Sequence, residues 1–324
     1  MTGTTAPSPW LPTAPCTPGR CAAHPDPAAG PSAHAASTAL AVVRLAAGIG
    51  AVLLGVLCVP SARLLPTPAR LALVRYWVRA VVRAFGVRVR FTGGPAPAGR
   101  PLLVVANHVS WLDIPLLAAV LPGRMVAKSE VRRWPVLGAL AVLGGTLFID
   151  RDRLRALPGT VRAMAAVLSG GGRVVVFPEG STWCGRAGGR FRPAAFQAAL
   201  DGGADVQPVR IDYRPTDAAA YVGDDPLGSS LWRLVTTRGV TADVRTLETL
   251  PRARYPDRRS LAAAAERAVA RRPVAPCAVA PCAVVQRAVV QRAVASDSAN
   301  LPLSSVHQRD RSSPASASSS RTPA

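Results

Sequence analysis

The sequence predicts an α/β fold: a single mixed, largely parallel sheet flanked by helices, preceded by N-terminal membrane-associating helices. Three observations carry this. Short apolar runs bounded by Gly and Pro alternate with helix-length segments from residue 87 to about 271. A continuous apolar run at 45–59 stands before them. The chain of 324 residues is long enough for one sizeable domain plus tails.

Residues 1–38 are rich in Pro, Ala, Thr and Gly without periodicity and read as a disordered tail. They lack the basic start and adjoining apolar stretch of a signal peptide. Residues 39–86 read as the membrane-associating part. The apolar run, extended by 39–43 across Arg44, is borderline for the roughly 20 residues of a spanning helix. It spans if Arg44 snorkels; otherwise it is re-entrant, interfacial or a core helix. In 71–87, Arg75, Arg79 and Arg83 fall four apart on one stripe. Leu73, Val74, Trp77, Val81 and Val82 occupy much of the remainder. That pattern fits a basic amphipathic helix on an anionic bilayer, or a surface helix packed on the domain.

Residues 87–271 form the expected catalytic domain. Strands are expected at 87–91, 102–106, 124–128, 146–149, 173–177, 206–213 and 241–247. Helices are expected at 114–120, 134–143, 158–168, 193–201 and 260–270. Residues 272–324 are a low-complexity tail with short tandem repeats and a Ser-rich end.

The net charge is +21, nearly all of it from Arg; Lys128 is the sole lysine. Such a surface suits anionic lipid headgroups, phosphorylated substrates or nucleic acid, although a coding bias toward Arg and Ala explains it as well. No nucleic-acid-binding motif or basic–aromatic interleaving accompanies the charge, so no nucleic-acid partner is expected. None of the six cysteines forms a C-x-x-C pair, and no Cys/His cluster has zinc spacing. No metal and no disulfide framework are therefore expected, as suits a cytoplasmic catalytic domain.

His108 is the only histidine between the tails and follows the apolar strand at 102–106. Loops at the carboxyl ends of strands in open α/β sheets bind ligands, and an imidazole there suits a general base. Asp113 lies five residues on, a spacing that does not share one helical face. His108 is therefore expected in the loop and Asp113 at the start of the next helix, which Pro115 also favours. Asp113 then either orients the imidazole or completes a capping box with Ser110.

Four segments in order resemble the glycerophospholipid acyltransferase family, the group of bacterial 1-acylglycerol-3-phosphate acyltransferases. They are Asn107-His108-Val109-Ser110-Trp111-Leu112-Asp113, then Gly145 through Asp150-Arg151, then Phe177-Pro178-Glu179-Gly180-Ser181, then Gln207-Pro208-Val209. Lys128, in Ala127-Lys-Ser-Glu130, also matches the family's wording. The resemblance implies catalysis by His108 and Asp113. It implies an acceptor site drawn from Asn107, Ser110, Lys128, Arg151, Glu179, Gly180 and Ser181, with Ser110 or backbone donors at the oxyanion. It implies no cofactor, with acyl-CoA or acyl carrier protein thioester as co-substrate. The expected partners are anionic membrane lipids and a lysophospholipid, at the cytoplasmic face of a membrane. Glycerol 3-phosphate, a lyso-amino-lipid or a glycolipid are other acceptors, and a non-catalytic membrane-surface binder is the alternative outside enzymes.

On the residues alone, Arg151 offers a fork for phosphate or an ion pair with Asp150 or Asp152. The Gly-rich loop 182–192, with Arg186, Arg190 and Arg192, is expected to close over an anionic group. Cys184 has no base in sequence reach and is not expected to be a nucleophile. Arg210 and Asp212 depart from the apolar strand of the family and suggest an exposed edge or a change in acceptor.

Overall fold

The computed structural model describes residues 14–17, 21, 36–94, 97, 99–134, 137–150 and 153–270. Ten helices and seven strands follow along these residues: α1 Thr38–Leu57, α2 Val59–Arg63, α3 Thr67–Ala84, β1 Arg88–Thr92, β2 Leu102–Ala106, α4 Asp113–Val120, β3 Arg124–Lys128, α5 Leu137–Leu143, β4 Leu147–Ile149, α6 Leu157–Ser169, β5 Arg173–Val176, α7 Ala194–Asp201, β6 Asp205–Arg214, α8 Thr216–Ala219, α9 Leu227–Thr236, β7 Thr241–Thr246 and α10 Arg258–Val269.

The strands form one mixed sheet in the order β1-β7-β6-β2-β5-β3-β4. Strands β6, β2, β5, β3 and β4 run parallel; β7 is antiparallel to β6 and parallel to β1. The expected α/β fold with a largely parallel sheet is what forms. Strand β2 explains why: all five of its residues are buried. Leu102, Val104 and Ala106 join one core layer while Leu103 and Val105 join the other. A strand buried on both faces reads as an unbroken apolar run. On the first face lie residues of α1, α3, α4 and α9, among them Ala41, Val82, Leu117 and Val235. On the second lie residues of α6, α7 and α10, among them Leu168, Phe196 and Leu261.

This layering positions the site. After β2 the chain leaves to α4 on the first face, and after the adjacent β5 it leaves to α7 on the second. Neighbouring parallel strands whose connections part to opposite faces leave a crevice at their carboxyl ends.

One open sequence reading is decided and two expectations need correction. The amphipathic helix α3 turns Val78, Val81 and Val82 into the domain core, followed by Phe85 at its C-cap. An apolar stripe on an isolated helix does not say whether protein or lipid covers it; here protein takes most of it, leaving Leu73 and Tyr76 exposed. The segment read as a disordered tail contains Cys16, which is buried against Trp183 and Cys184. Finally, β6 is an interior strand flanked by β2 and β7, not an edge. Arg210 and Asp212 sit there because they pair with each other, Nε to Oδ2 at 3.3 Å.

Helix α1 combines two environments. Arg44 does not snorkel; its guanidinium donates to the carbonyls of Val235 and Thr237 at 2.9 and 3.1 Å, at the end of α9. Gly48 and Gly55 let the Phe85 and Trp77 rings lie directly on the α1 backbone. Its other face, with Val43, Ile49, Leu53, Leu54 and Leu57, is exposed. By length and composition α1 is apolar enough to cross a membrane.

Candidate active site

The sheet register brings the motif segments together. Val105 pairs with Val176, and Ala106 with Val209, so Asn107-His108 emerges beside Phe177-Pro178-Glu179 on one side and Ile211 on the other. Strand β3 lies beyond β5, and Lys128 at its end is level with Ile149 of β4. At about 4.8 Å per strand, the Lys128 column is roughly 10 Å from that of His108 along the same sheet edge.

Asp113 is the hub, with no exposed surface. Its Oδ2 accepts from the backbone N–H of Val109 at 2.7 Å and of Ser110 at 2.9 Å, and lies 2.8 Å from His108 Nδ1. Its Oδ1 accepts the Tyr213 hydroxyl at 2.6 Å. Aspartate meets the Ser110 N–H as in a capping box, yet the Ser110 hydroxyl instead accepts from Leu112 N–H at 3.3 Å. The capping and orienting readings are thus not alternatives: the carboxylate that folds the loop also holds the ring. With Nδ1 engaged, Nε2 is the nitrogen left for proton transfer. The imidazole side chain is 19% exposed and stacks on Phe177, centroids 4.0 Å apart at 13°.

Glu179 braces this loop from the next strand. Its Oε2 accepts the His108 N–H at 3.0 Å, and its Oε1 accepts the Gly189 N–H at 3.3 Å. Burial pushes its carboxyl up to about 8 despite these two donors, with Asp113 and Glu266 adding to the rise. Its part is internal support, since it is 5% exposed. Gly180 has φ +77° in the turn after it, a conformation that suits a residue without Cβ. Ser181, half-buried, follows at the turn.

Other expected site residues fall differently. The Asn107 amide clips β6: its Nδ2 donates to Ile211 O and its Oδ1 accepts from Ile211 N, both at 2.8 Å. Both of its polar ends are taken by backbone, so it fixes the loop rather than offering free groups to a substrate. Ser110 is fully buried with its hydroxyl engaged, which corrects its expected place at the oxyanion. Lys128 is half-buried with Nζ 6.0 Å from the Trp134 ring centroid. Arg151 lies outside the described residues. Loop 182–192 is tied down rather than free to swing. Trp183 N donates to His108 O at 2.7 Å, Arg192 N to Pro178 O at 2.9 Å, and Phe191 N to Glu266 Oε2 at 2.8 Å.

Sequence reasoning missed Tyr213, Phe177 and Trp183 as parts of this centre. Phe177 stood in a motif already quoted. Tyr213 lies 100 residues from Asp113, and nothing local marks it. It also missed a thiol cluster: the Sγ atoms of Cys16, Cys21 and Cys184 all lie within 4.8 Å of one another. Sequence spacing does not show this cluster because Cys184 is distant in the chain from the other two.

A family model described as acyltransferase matches residues 88–212, from β1 into β6. The chain is 41% identical over 207 residues to the lyso-ornithine lipid O-acyltransferase of Pseudomonas aeruginosa, covering 63% of this chain and 79% of that one. It is 36% identical over 197 residues to the 1-acyl-sn-glycerol-3-phosphate acyltransferase of Neisseria meningitidis, covering 59% and 76%. Its fold matches the crystal structure of PlsC, the 1-acyl-sn-glycerophosphate (LPA) acyltransferase from Thermotoga maritima, with a TM-score of 0.56. That match covers 81% of this chain and 96% of the other at 21% identity, and is a likeness of fold. With its sheet, crevice and matched motif region, this chain belongs to the acyltransferase family, as an O-acyltransferase of the glycerophospholipid and lyso-lipid type.

Proposed function

We propose that the protein moves a fatty acyl group from acyl-CoA or acyl carrier protein to the free hydroxyl of a lysophosphatidate-like lipid. The observation that carries this is the His108 Nδ1–Asp113 Oδ2 contact of 2.8 Å at the mouth of the crevice. His108 Nε2 takes the proton from the acceptor hydroxyl, and the oxygen attacks the thioester carbonyl. Asp113 supports the imidazolium. Collapse of the tetrahedral intermediate breaks the C–S bond, and the imidazolium returns its proton to the departing thiolate. General-base help of this kind supplies on the order of 10²–10⁴-fold; alignment of the two substrates supplies more.

The backbone N–H groups of His108, Val109 and Ser110 are spent on Glu179 and Asp113. The Gly180 N–H is likewise spent, on Phe177 O at 3.1 Å, so the oxyanion donors in this proposal come from the N–H groups of Ser181 and Thr182 in the turn beside Phe177. Lys128, and Arg151 by resemblance, hold the acceptor's anionic group further along the sheet edge. The exposed apolar residues of α1 and of the turn after α2, such as Leu54, Leu57 and Leu64, seat the protein on anionic lipids, with the catalytic domain on the cytoplasmic face where acyl thioesters occur. A lyso-amino-lipid acceptor is the second reading, favoured by the 41% identity to a lyso-ornithine lipid enzyme. No cofactor is proposed.

The test is a membrane fraction incubated with a radiolabelled acyl thioester and a panel of lysophosphatidate, lyso-ornithine lipid and glycerol 3-phosphate. Labelled phosphatidate that disappears with His108→Ala supports the main reading. Label on the ornithine lipid alone selects the second, and full turnover by His108→Ala would overturn the mechanism.

A further inference from the structure

Three thiols converge beside the active-site loop. The Sγ atoms of Cys16, Cys21 and Cys184 lie within 4.8 Å of one another, with Cys16 and Cys184 buried and Cys21 half-buried. Trp183 and Val222 pack around them. The Cys184 sulfur accepts hydrogen bonds from the Cys16 thiol and from the backbone N–H groups of Arg186 and Ala187. The adjoining cavity is lined by Cys21, Cys184, Arg186 and Asp217. Three buried polar atoms of its lining residues, Arg186 Nη2, Asp217 Oδ1 and Arg233 Nε, have no hydrogen-bond partner.

We propose that Cys16, Cys21 and Cys184 form a three-sulfur site for Zn²⁺ that staples the N-terminal segment to the loop bonded to His108. Zinc with Zn–S bonds of about 2.3 Å holds sulfurs about 3.8 Å apart in tetrahedral geometry, so the trio needs only a shift of about 1 Å. A disulfide would join two sulfurs and leave the third without a partner. The fourth position is left to a water from the adjoining cavity, and Arg186 offsets the negative charge of the assembled thiolates. Each thiol releases its proton as the ion binds.

The site has a mechanical consequence. Trp183, next to Cys184, donates its N–H to the His108 carbonyl at 2.7 Å. An ion on Cys184 therefore stiffens the peptide that holds the catalytic loop from behind. It acts on position only, since no sulfur reaches the imidazole through the bonds described.

The test uses the full-length chain, purified under reducing conditions without chelator. Elemental analysis is expected to find about one zinc per chain after dialysis. Titration of the metal-free wild type with Co²⁺ is expected to give the intense sulfur-to-cobalt charge-transfer absorption of a thiolate site. Cys184→Ser and Cys16→Ser should each weaken zinc affinity by more than about 100-fold, whereas Cys58→Ser, an exposed cysteine outside the cluster, should leave it unchanged. Absence of both zinc and the cobalt–thiolate band in reduced wild-type protein would overturn the proposal, as would equal metal content in the triple serine variant. A Cys184 disulfide persisting in freshly isolated protein would overturn it too. These readouts do not depend on acyl transfer.

Discussion

At the residue scale the centre turns on how many donors Asp113 collects. Three meet Oδ2 and one meets Oδ1 in a site without solvent. In Asp113→Asn an amide N–H would face His108 Nδ1 and select the wrong tautomer. We expect kcat to fall on the order of 10²–10⁴-fold, measured by steady-state acyl transfer, with a smaller change in KM. Tyr213 donates reliably because burial, and then Asp113, push its hydroxyl pKa well above the usual value. Tyr213→Phe should cost about 1–3 kcal/mol in denaturant unfolding, the penalty of an unmet buried oxygen, and should lower kcat less than Asp113→Asn. Glu179 makes a pH prediction. Folded, it holds its proton up to about 8; unfolded, it releases it near 4.5. Its stabilising contribution is therefore fully present below about pH 4.5 and is lost as pH rises to about 8, with a slope up to about 1.4 kcal/mol per unit. In Glu179→Gln the unfolding midpoint should fall less steeply across that range than in wild type.

At the element scale the strands were legible and several helices were not. β2 and β3 form over the residues their apolar runs mark, and β6 runs one residue longer at each end than expected, Asp205–Arg214. A strand buried on both faces leaves little room for another reading. The missed helix α9 begins after Pro226 and buries only part of one side, with Leu234 and Val235 inward and Trp232 exposed; its short amphipathic pattern is easily lost among polar neighbours. For α3 most of the apolar stripe packs on the domain, the alternative the pattern had left open, since periodicity identifies a stripe and not its cover. Packing of α1 on that helix is testable. A Cβ at Gly48 would collide with the Phe85 ring, so Gly48→Val should cost about 1–3 kcal/mol of stability by overpacking, read by chemical denaturation.

At the scale of the whole molecule, one core layer ties the apolar N-terminal helices to the catalytic sheet, and the other ties α10 to it. Ala41 and Phe85 belong to the first layer with Val104; Leu261 and Ala265 belong to the second with Leu103. A chain ending before Arg258 would expose Leu103 and Val206 and should not fold, whereas a chain ending after Ala270 keeps every described element. We expect the longer truncate to retain acyl transfer and cooperative unfolding, and the shorter to be recovered only as aggregate. The charge of +21 plays a separate part: at raised ionic strength, binding to anionic vesicles should weaken, because surface attraction is screened.

The sequence by itself determined the α/β class, the strand positions, and His108 and Asp113 as a pair on loop and helix start. Those follow from short-range patterns: apolar runs, proline placement and motif spacing. Only the tertiary structure decided that Asp113 both folds the loop and orients the ring, that Glu179 and Asn107 serve as braces, and that Tyr213 completes the carboxylate's bonding. It alone brought Cys184 to Cys16 and Cys21. The physical reason is common to all of these. Each depends on which strands lie side by side and in what register, and parallel neighbours such as β2, β5 and β6 are distant in the chain, so no local pattern records the meeting.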